Sequence, residues 1–471
     1  MNLNNNIVET KEVIKKEIVN QLDNIKNMLI DKNEEFCTGI NYKIFFYNWI
    51  SIQKKEDGNL YSDRTKANYI RVLEKELALK CNIDVEGGNI FNVCSRKEIE
   101  NIIDVLNKDN TFNEYNESNN RTPKSALLAY NKFLLETTLI GRKNCIVFGA
   151  PGTGKSYFVE KSRKSFFDRN FKRVTFHPNY TYSQFVGSYK PISKNVLDGE
   201  CNKEIISYDF VAGPFLNVLI EALKNEKNGI PYLLVIEEIN RANPAGVFGD
   251  IFQLLDRNSD GKSTYKISMS NEMKKYVCKE LKRNIEELYI PSNMYIWATM
   301  NSADQGVYPM DSAFKRRWSF EYIGIDKNEE KLQGEEYELI RLKDKNNTYS
   351  VYEWNKVRKT INEKLKVDGK INEDKLLGPF FLSKTELLKS KENQEEFDEI
   401  FKSKVLMYLY EDILKHKKID FFIEGVQTLS DIMNAYDNGR VFNFEIEKRE
   451  TEGDNYNLKI AEEQSSYETK E

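Results

Sequence analysis

The stretch "GAPGTGKS", residues 149–156, has the spacing GxxxxGK[ST] and lies between an apolar run, "CIVFG", and a helical pattern. Glycines at that spacing let backbone N–H groups approach phosphate oxygens. Lys155 can reach the β- and γ-phosphates of a nucleotide, and the Ser156 hydroxyl can hold Mg2+. Gly149, Pro151, Gly152, Thr153, Gly154, Lys155, Ser156 and Tyr157 are the candidate nucleotide-binding residues. In "YLLVIEEIN" an apolar run ends in two carboxylates, Glu237 and Glu238. One carboxylate at a strand end can support Mg2+, usually through water; a second can orient or deprotonate the attacking water. Glu237 takes the first role here, although Asp is usual at that position, and Glu238 the second. "MYIWATMNSAD" ends in Asn301, whose amide can position water against the γ-phosphate. "DSAFKRRWSF" follows with Arg316 and Arg317, at the spacing expected of an arginine lent to a neighbouring subunit's site. Adjacent arginines on a helix are otherwise solvated, so these two draw their meaning from the set they follow.

These residues need a sheet to bring them together. From about residue 144, "CIVFG", "RVTFH", "YLLVIEE" and "MYIWATMN" read as buried parallel strands separated by helices. That alternation predicts an α/β nucleotide-binding core over residues 124–327. Residues 1–35 read as a helical lead, and 36–118 as a separate small helical domain for target or partner recognition. In that domain Ser62 is a predicted N-cap, and Ser95 with Glu98 a predicted capping box. "NKDNTFNEYNESNNRTPK" reads as a polar linker. Residues 328–446 turn helical again, with Trp354, Val357, Ile361 and Leu365 on one stripe. Phe397, Ile400, Phe401, Leu409 and Ile413 form a second. Residues 447–471 form a polar tail of disordered composition. "SNEMKKYVCKELKRNIEELY" predicts a basic helix that is either plainly solvated or turned toward a partner or pore.

Composition narrows the function classes. Lys and Arg total 70 and Asp and Glu 74, a net charge of −4. No global basic field draws the chain to nucleic acid, so DNA contact requires a local patch. The 6 cysteines have no CxxC spacing, and the 2 histidines, His177 and His416, are far apart. A zinc centre, a histidine-based triad and an HNH nuclease are therefore not expected. A PD-(D/E)xK nuclease needs two acidic groups and a lysine on a β-hairpin; "EIEKRE" has the letters without an acidic strand before it. Without a signal-peptide pattern or an apolar run of membrane length, a cytoplasmic chain with no membrane association is expected.

Taken together, the ordered motifs resemble the AAA+ superfamily and, within it, the McrB family of NTPase subunits of modification-dependent restriction systems. "TFHPNYTYSQFVGSYKP" looks like the family's FHxxYxYxxF stretch, and "VAGPFLNVLIEA" is similar to its GxF helix. "EEINRANPAGVFGDIFQLLDR", "TMNSAD" and "DKLLGPFFLS" match its later segments. The resemblance covers about residues 144–418. It implies an AAA+ P-loop core with a parallel sheet, a helical C-terminal lid and a homo-oligomeric, hexameric ring. It further implies GTP or ATP as substrate with Mg2+, action on DNA, and a separate nuclease subunit of McrC type. Gln305 stands where the family often has Arg, which removes one charge near the γ-phosphate. Two other readings stay open: a MoxR-like protein-remodelling ATPase, and an adaptor whose nucleotide only drives assembly.

Overall fold

The computed structural model describes residues 42–449, apart from 56, 137–138, 199–200, 302–305, 335 and 416–419. The expected helical lead, Gln305, His416 and the tail from residue 450 lie outside the described residues. Eleven strands are described in chain order: β1 (Asn144–Phe148), β2 (Phe171–Thr175), β3 (Gly187–Asp198), β4 (Cys201–Ala212), β5 (Tyr232–Glu237), β6 (Ile267–Ser268), β7 (Glu287–Leu288), β8 (Met294–Met300), β9 (Ser319–Tyr322), β10 (Leu339–Lys343) and β11 (Tyr349–Glu353).

The central sheet has the order β2-β5-β8-β1-β9. The β2–β5 and β5–β8 pairs are parallel, with Thr175 opposite Glu237 and Ile236 opposite Ala298. Four consecutive residues of β5, Leu233 to Ile236, are buried, as are Met294 to Ala298 of β8. Unbroken apolar runs are what a parallel sheet covered on both faces requires. All four strands expected from sequence form, but only β1, β5 and β8 are buried; β2, expected to be buried, is a mostly exposed strand at the sheet edge. The chain divides into two compact units. One takes in the described residues up to Ile146, Val159–Ala298 and Tyr308–Ser319; the other takes in Val147–Phe158, Thr299–Val307 and the described residues from Phe320 onward.

The N-terminal helices of the first unit include Tyr42–Ser51, Asp63–Arg71, Arg96–Leu106, Asn110–Ser118 and Thr122–Glu136. The Ser62 side chain accepts from the Thr65 amide, as an N-cap should. The box expected at Ser95 does not form, because its side chain makes no cap hydrogen bond. The stretch expected as a linker is helical at 110–118. Asp109 caps that helix, and Phe112 and Tyr115 are buried. Phe45 packs edge-on against Phe166, Phe167 and Tyr295 at 5.6–6.0 Å, so the first helix shares a core with residues of the α/β region. β3 and β4 form a long antiparallel hairpin that the sequence reading did not anticipate. The basic helix does form, as Asn271–Leu281, and Tyr276 on it meets Phe210 at the hairpin's base.

In the second unit, Trp354, Val357, Ile361 and Leu365 of helix Trp354–Val367 enter one core with Phe397, Phe401, Leu409 and Ile413. Both stripes read from sequence are therefore core stripes. The β10–β11 hairpin interrupts what the sequence presented as all-helical. Among the described residues, no helix is long and apolar enough to cross a membrane.

Candidate nucleotide-binding site

The phosphate-loop candidates lie in the second unit, where β1 ends and helix Lys155–Phe166 begins. Gly152 has φ of 73°, a conformation that side-chain-bearing residues rarely adopt. The Lys155 ammonium is buried and donates to the carbonyls of Gly149 and Ala150 at 2.9 and 2.8 Å. Thr153, fully buried, donates its hydroxyl to the Ala150 carbonyl at 2.8 Å. Ser156 and Tyr157 are exposed on the first turn of the helix. The loop is thus a compact turn whose exposed edge is a helix N-terminus, the geometry that suits an anion. Asn301 follows β8 in the same unit and is half-buried.

The carboxylates and arginines lie in the first unit. Glu237 closes β5 with its side chain 13% exposed, 3.8 Å from the Arg173 guanidinium on β2. Glu238 has φ of 56° and ψ of 49°, left-handed backbone for a residue that carries a side chain. Such strain costs on the order of 1–3 kcal/mol and persists where the surroundings impose it. Its carboxylate is 3.4 Å from Arg241.

The aromatic residues of "TFHPNYTYSQF" support the segment that follows Glu238. Phe176 stacks on Tyr180 at 4.8 Å, and Phe185 packs against Phe248 at 5.0 Å and Phe215 at 5.5 Å. A Cβ on Gly249 would lie 2.9 Å from the Tyr182 ring, which fixes glycine there. Burial and the neighbouring Asp250 carboxylate push the Tyr182 phenol above its ordinary pKa. Asn243 caps helix Pro244–Phe248 by accepting from the Gly246 amide at 3.3 Å.

The two arginines differ. Arg316 is exposed. The Arg317 side chain is 8% exposed, meets Asp256 at 2.8 Å, donates to the Ala313 carbonyl at 2.8 Å and lies 4.0 Å over the Phe252 ring. Residues the sequence reading passed over hold this corner. Asn144 donates to the carbonyls of Leu255 and Arg317 at 2.8 and 3.1 Å, and its side-chain oxygen accepts from Arg257 at 3.1 Å. Trp318 is packed inward, against Phe314 at 5.7 Å. An isolated Asn at a strand start and an Arg in a loop carry no sequence signal of burial.

Among the described residues no group of three or more His, Cys, Asp or Glu side chains could hold a metal ion. Ser156 in the second unit carries a hydroxyl, and Glu237 in the first carries a carboxylate. Hard oxygen donors of this sort suit Mg2+, which keeps several waters and takes phosphate oxygens as ligands.

A model of the AAA domain, dynein-related subfamily, matches residues 144–318. The type II restriction enzyme BsuMI component YdiS of Bacillus subtilis (strain 168) is 46% identical over 324 residues, which is 65% of this chain and 89% of that protein. The EcoKMcrB subunit of the type IV methyl-directed restriction enzyme of Escherichia coli (strain K12) is 27% identical over 201 residues, 40% of this chain and 38% of that one. With an AAA domain over its phosphate loop and strand-end carboxylates, and with a restriction component alike across nearly that protein's whole length, the chain belongs to the McrB-like AAA+ NTPase subunits of restriction systems.

Proposed function

We propose that the chain is the nucleotide-driven motor of a restriction system, works on DNA as a ring of like subunits, and acts with a separate nuclease subunit of McrC type in the cytoplasm. The carrying observation is the 46% identity to a restriction component over 89% of that protein's length. In this reading Lys155 and the backbone of 149–156 bind the β- and γ-phosphates. Ser156 and Glu237 would hold Mg2+, which neutralises developing charge on the phosphates when bound. Glu238 orients the attacking water and accepts its proton, and Asn301 positions that water against the γ-phosphate. Arg316, exposed and away from the core, serves a neighbouring subunit's nucleotide. Arg317, tied to Asp256, positions the turn that carries Arg316.

GTP and ATP both fit a loop that reads phosphates. The test is turnover of each, with and without DNA and a nuclease subunit of McrC type. Stimulation of one triphosphate's turnover by the nuclease subunit, with DNA cleavage that needs both chains, is the expected result. Turnover indifferent to that subunit and to DNA, with release of a bound protein client instead, would favour the protein-remodelling reading.

A further inference from the structure

The second unit contains a contact that the motifs do not explain. Residues 376–381, "LLGPFF", lie directly on the phosphate loop. The Gly378 amide donates to the Pro151 carbonyl at 2.9 Å, and the Phe380 amide donates to the Gly152 carbonyl at 2.8 Å. The approach is as close as backbones allow. A Cβ on Gly378 would lie 2.6 Å from the Thr153 nitrogen, and one on Gly152 would overlap the backbone of Phe381. The Phe380 ring lies 3.7 Å from where a Cβ on Gly154 would stand.

The other side of the same segment is anchored in the helical core. Asn362, buried, donates to the Leu377 carbonyl and accepts from the Leu377 amide, both at 2.9 Å. The Trp354 indole donates to the Pro379 carbonyl at 2.8 Å. Tyr408 donates to the Lys375 carbonyl at 3.0 Å, and its ring meets Phe381 at 4.9 Å. Trp354 and Asn362 sit about two turns apart on helix Trp354–Val367. One face of one helix thus holds the segment at two points, and the segment in turn holds the phosphate loop at two.

We infer that residues 376–381 are a positioning clamp for nucleotide binding: Trp354 and Asn362 fix the clamp, and its Gly378 and Phe380 amides hold the phosphate loop in its binding-competent shape. The inference rests on reading 149–156 as the phosphate-binding loop and adds residues to which no role has been assigned. The clamp acts on populations. Apparent affinity falls in proportion to the fraction of molecules whose loop is competent. Once nucleotide is bound the loop is competent by selection, so the chemical step at saturation is unaffected. Loosening the clamp therefore raises Kd and KM and leaves kcat alone.

Trp354→Phe removes the donor to the Pro379 carbonyl while still filling the core. Losing one buried hydrogen bond corresponds to a change of about three- to tenfold. The experiment titrates fluorescent ATP and GTP analogues into wild type, Trp354→Phe and Gly378→Ala, and measures kcat and the thermal midpoint of each. The expected result is a Kd about three- to tenfold higher in Trp354→Phe and higher still in Gly378→Ala, with Trp354→Phe kcat within about twofold of wild type. A merely structural role would lower the thermal midpoint and leave Kd where it was. Hydrogen exchange on the wild-type chain gives a readout independent of any variant: nucleotide should slow exchange at the Gly378 and Phe380 amides. Unchanged Kd in Trp354→Phe, or exchange at those amides indifferent to nucleotide, overturns the clamp. If wild type itself binds no nucleotide, the reading of 149–156 fails and the clamp with it; wild-type binding that Lys155→Ala abolishes keeps that reading whatever the clamp variants do.

Discussion

Two adjacent arginines with the same side chain have opposite surroundings, and this separates their expected phenotypes. Arg317 is nearly buried on Asp256, the Ala313 carbonyl and the Phe252 ring. Removing it takes this partner from Asp256, so Arg317→Ala should cost about 2–4 kcal/mol in urea unfolding. Arg316 is exposed, and Arg316→Ala should change stability by less than about 0.5 kcal/mol. Its turnover should fall by about a thousandfold if it completes a neighbour's site. Mixing Arg316→Ala with Lys155→Ala subunits should restore part of the activity, because the second lends its arginine to a site that still binds nucleotide. Full turnover by Arg316→Ala alone would rule out that role. The sequence made the pair visible but not the difference. Nothing in "FKRRW" says which arginine faces Asp256, because that contact joins residues 61 apart.

Elements built from long apolar runs were the most legible. Strands β1, β5 and β8 and both helical stripes of the second unit follow from burial on both faces or on one stripe, and local pattern determines both. The hairpin β3–β4 was missed because its strands mix charged, polar and apolar residues. Tyr189 and Tyr208 on it are exposed yet stack at 5.9 Å. The supposed linker was misread for the same reason: "NTFNEYNES" is polar, and only Phe112 and Tyr115 mark its buried side. The N-terminal helices also share a core with the α/β region through Phe45, which no local pattern reveals. Phe45→Ala should therefore destabilise the chain by about 3–5 kcal/mol in denaturant unfolding, as a large-to-small change in a packed core does. A loss below about 1 kcal/mol would mean that the first helix is only loosely attached.

For the whole molecule, the residues proposed as the phosphate loop, the strand-end carboxylates and the amide stand out in the sequence because the proposed chemistry demands fixed residue types at fixed spacing. The contact of residues 376–381 with residues 151 and 152 does not stand out in it, because that contact is made by backbone amides, which every sequence carries. The central claim is that this set turns over a nucleoside triphosphate, and one variant asks that most directly. Glu238→Gln keeps the shape of the side chain and cannot accept a proton. Measured by equilibrium binding and single-turnover hydrolysis of ATP and GTP, it should bind nucleotide as tightly as wild type and hydrolyse at least about a hundredfold more slowly. Hydrolysis at the wild-type rate in Glu238→Gln, with the rate lost instead in Glu237→Gln, would contradict the assignment of the catalytic carboxylate.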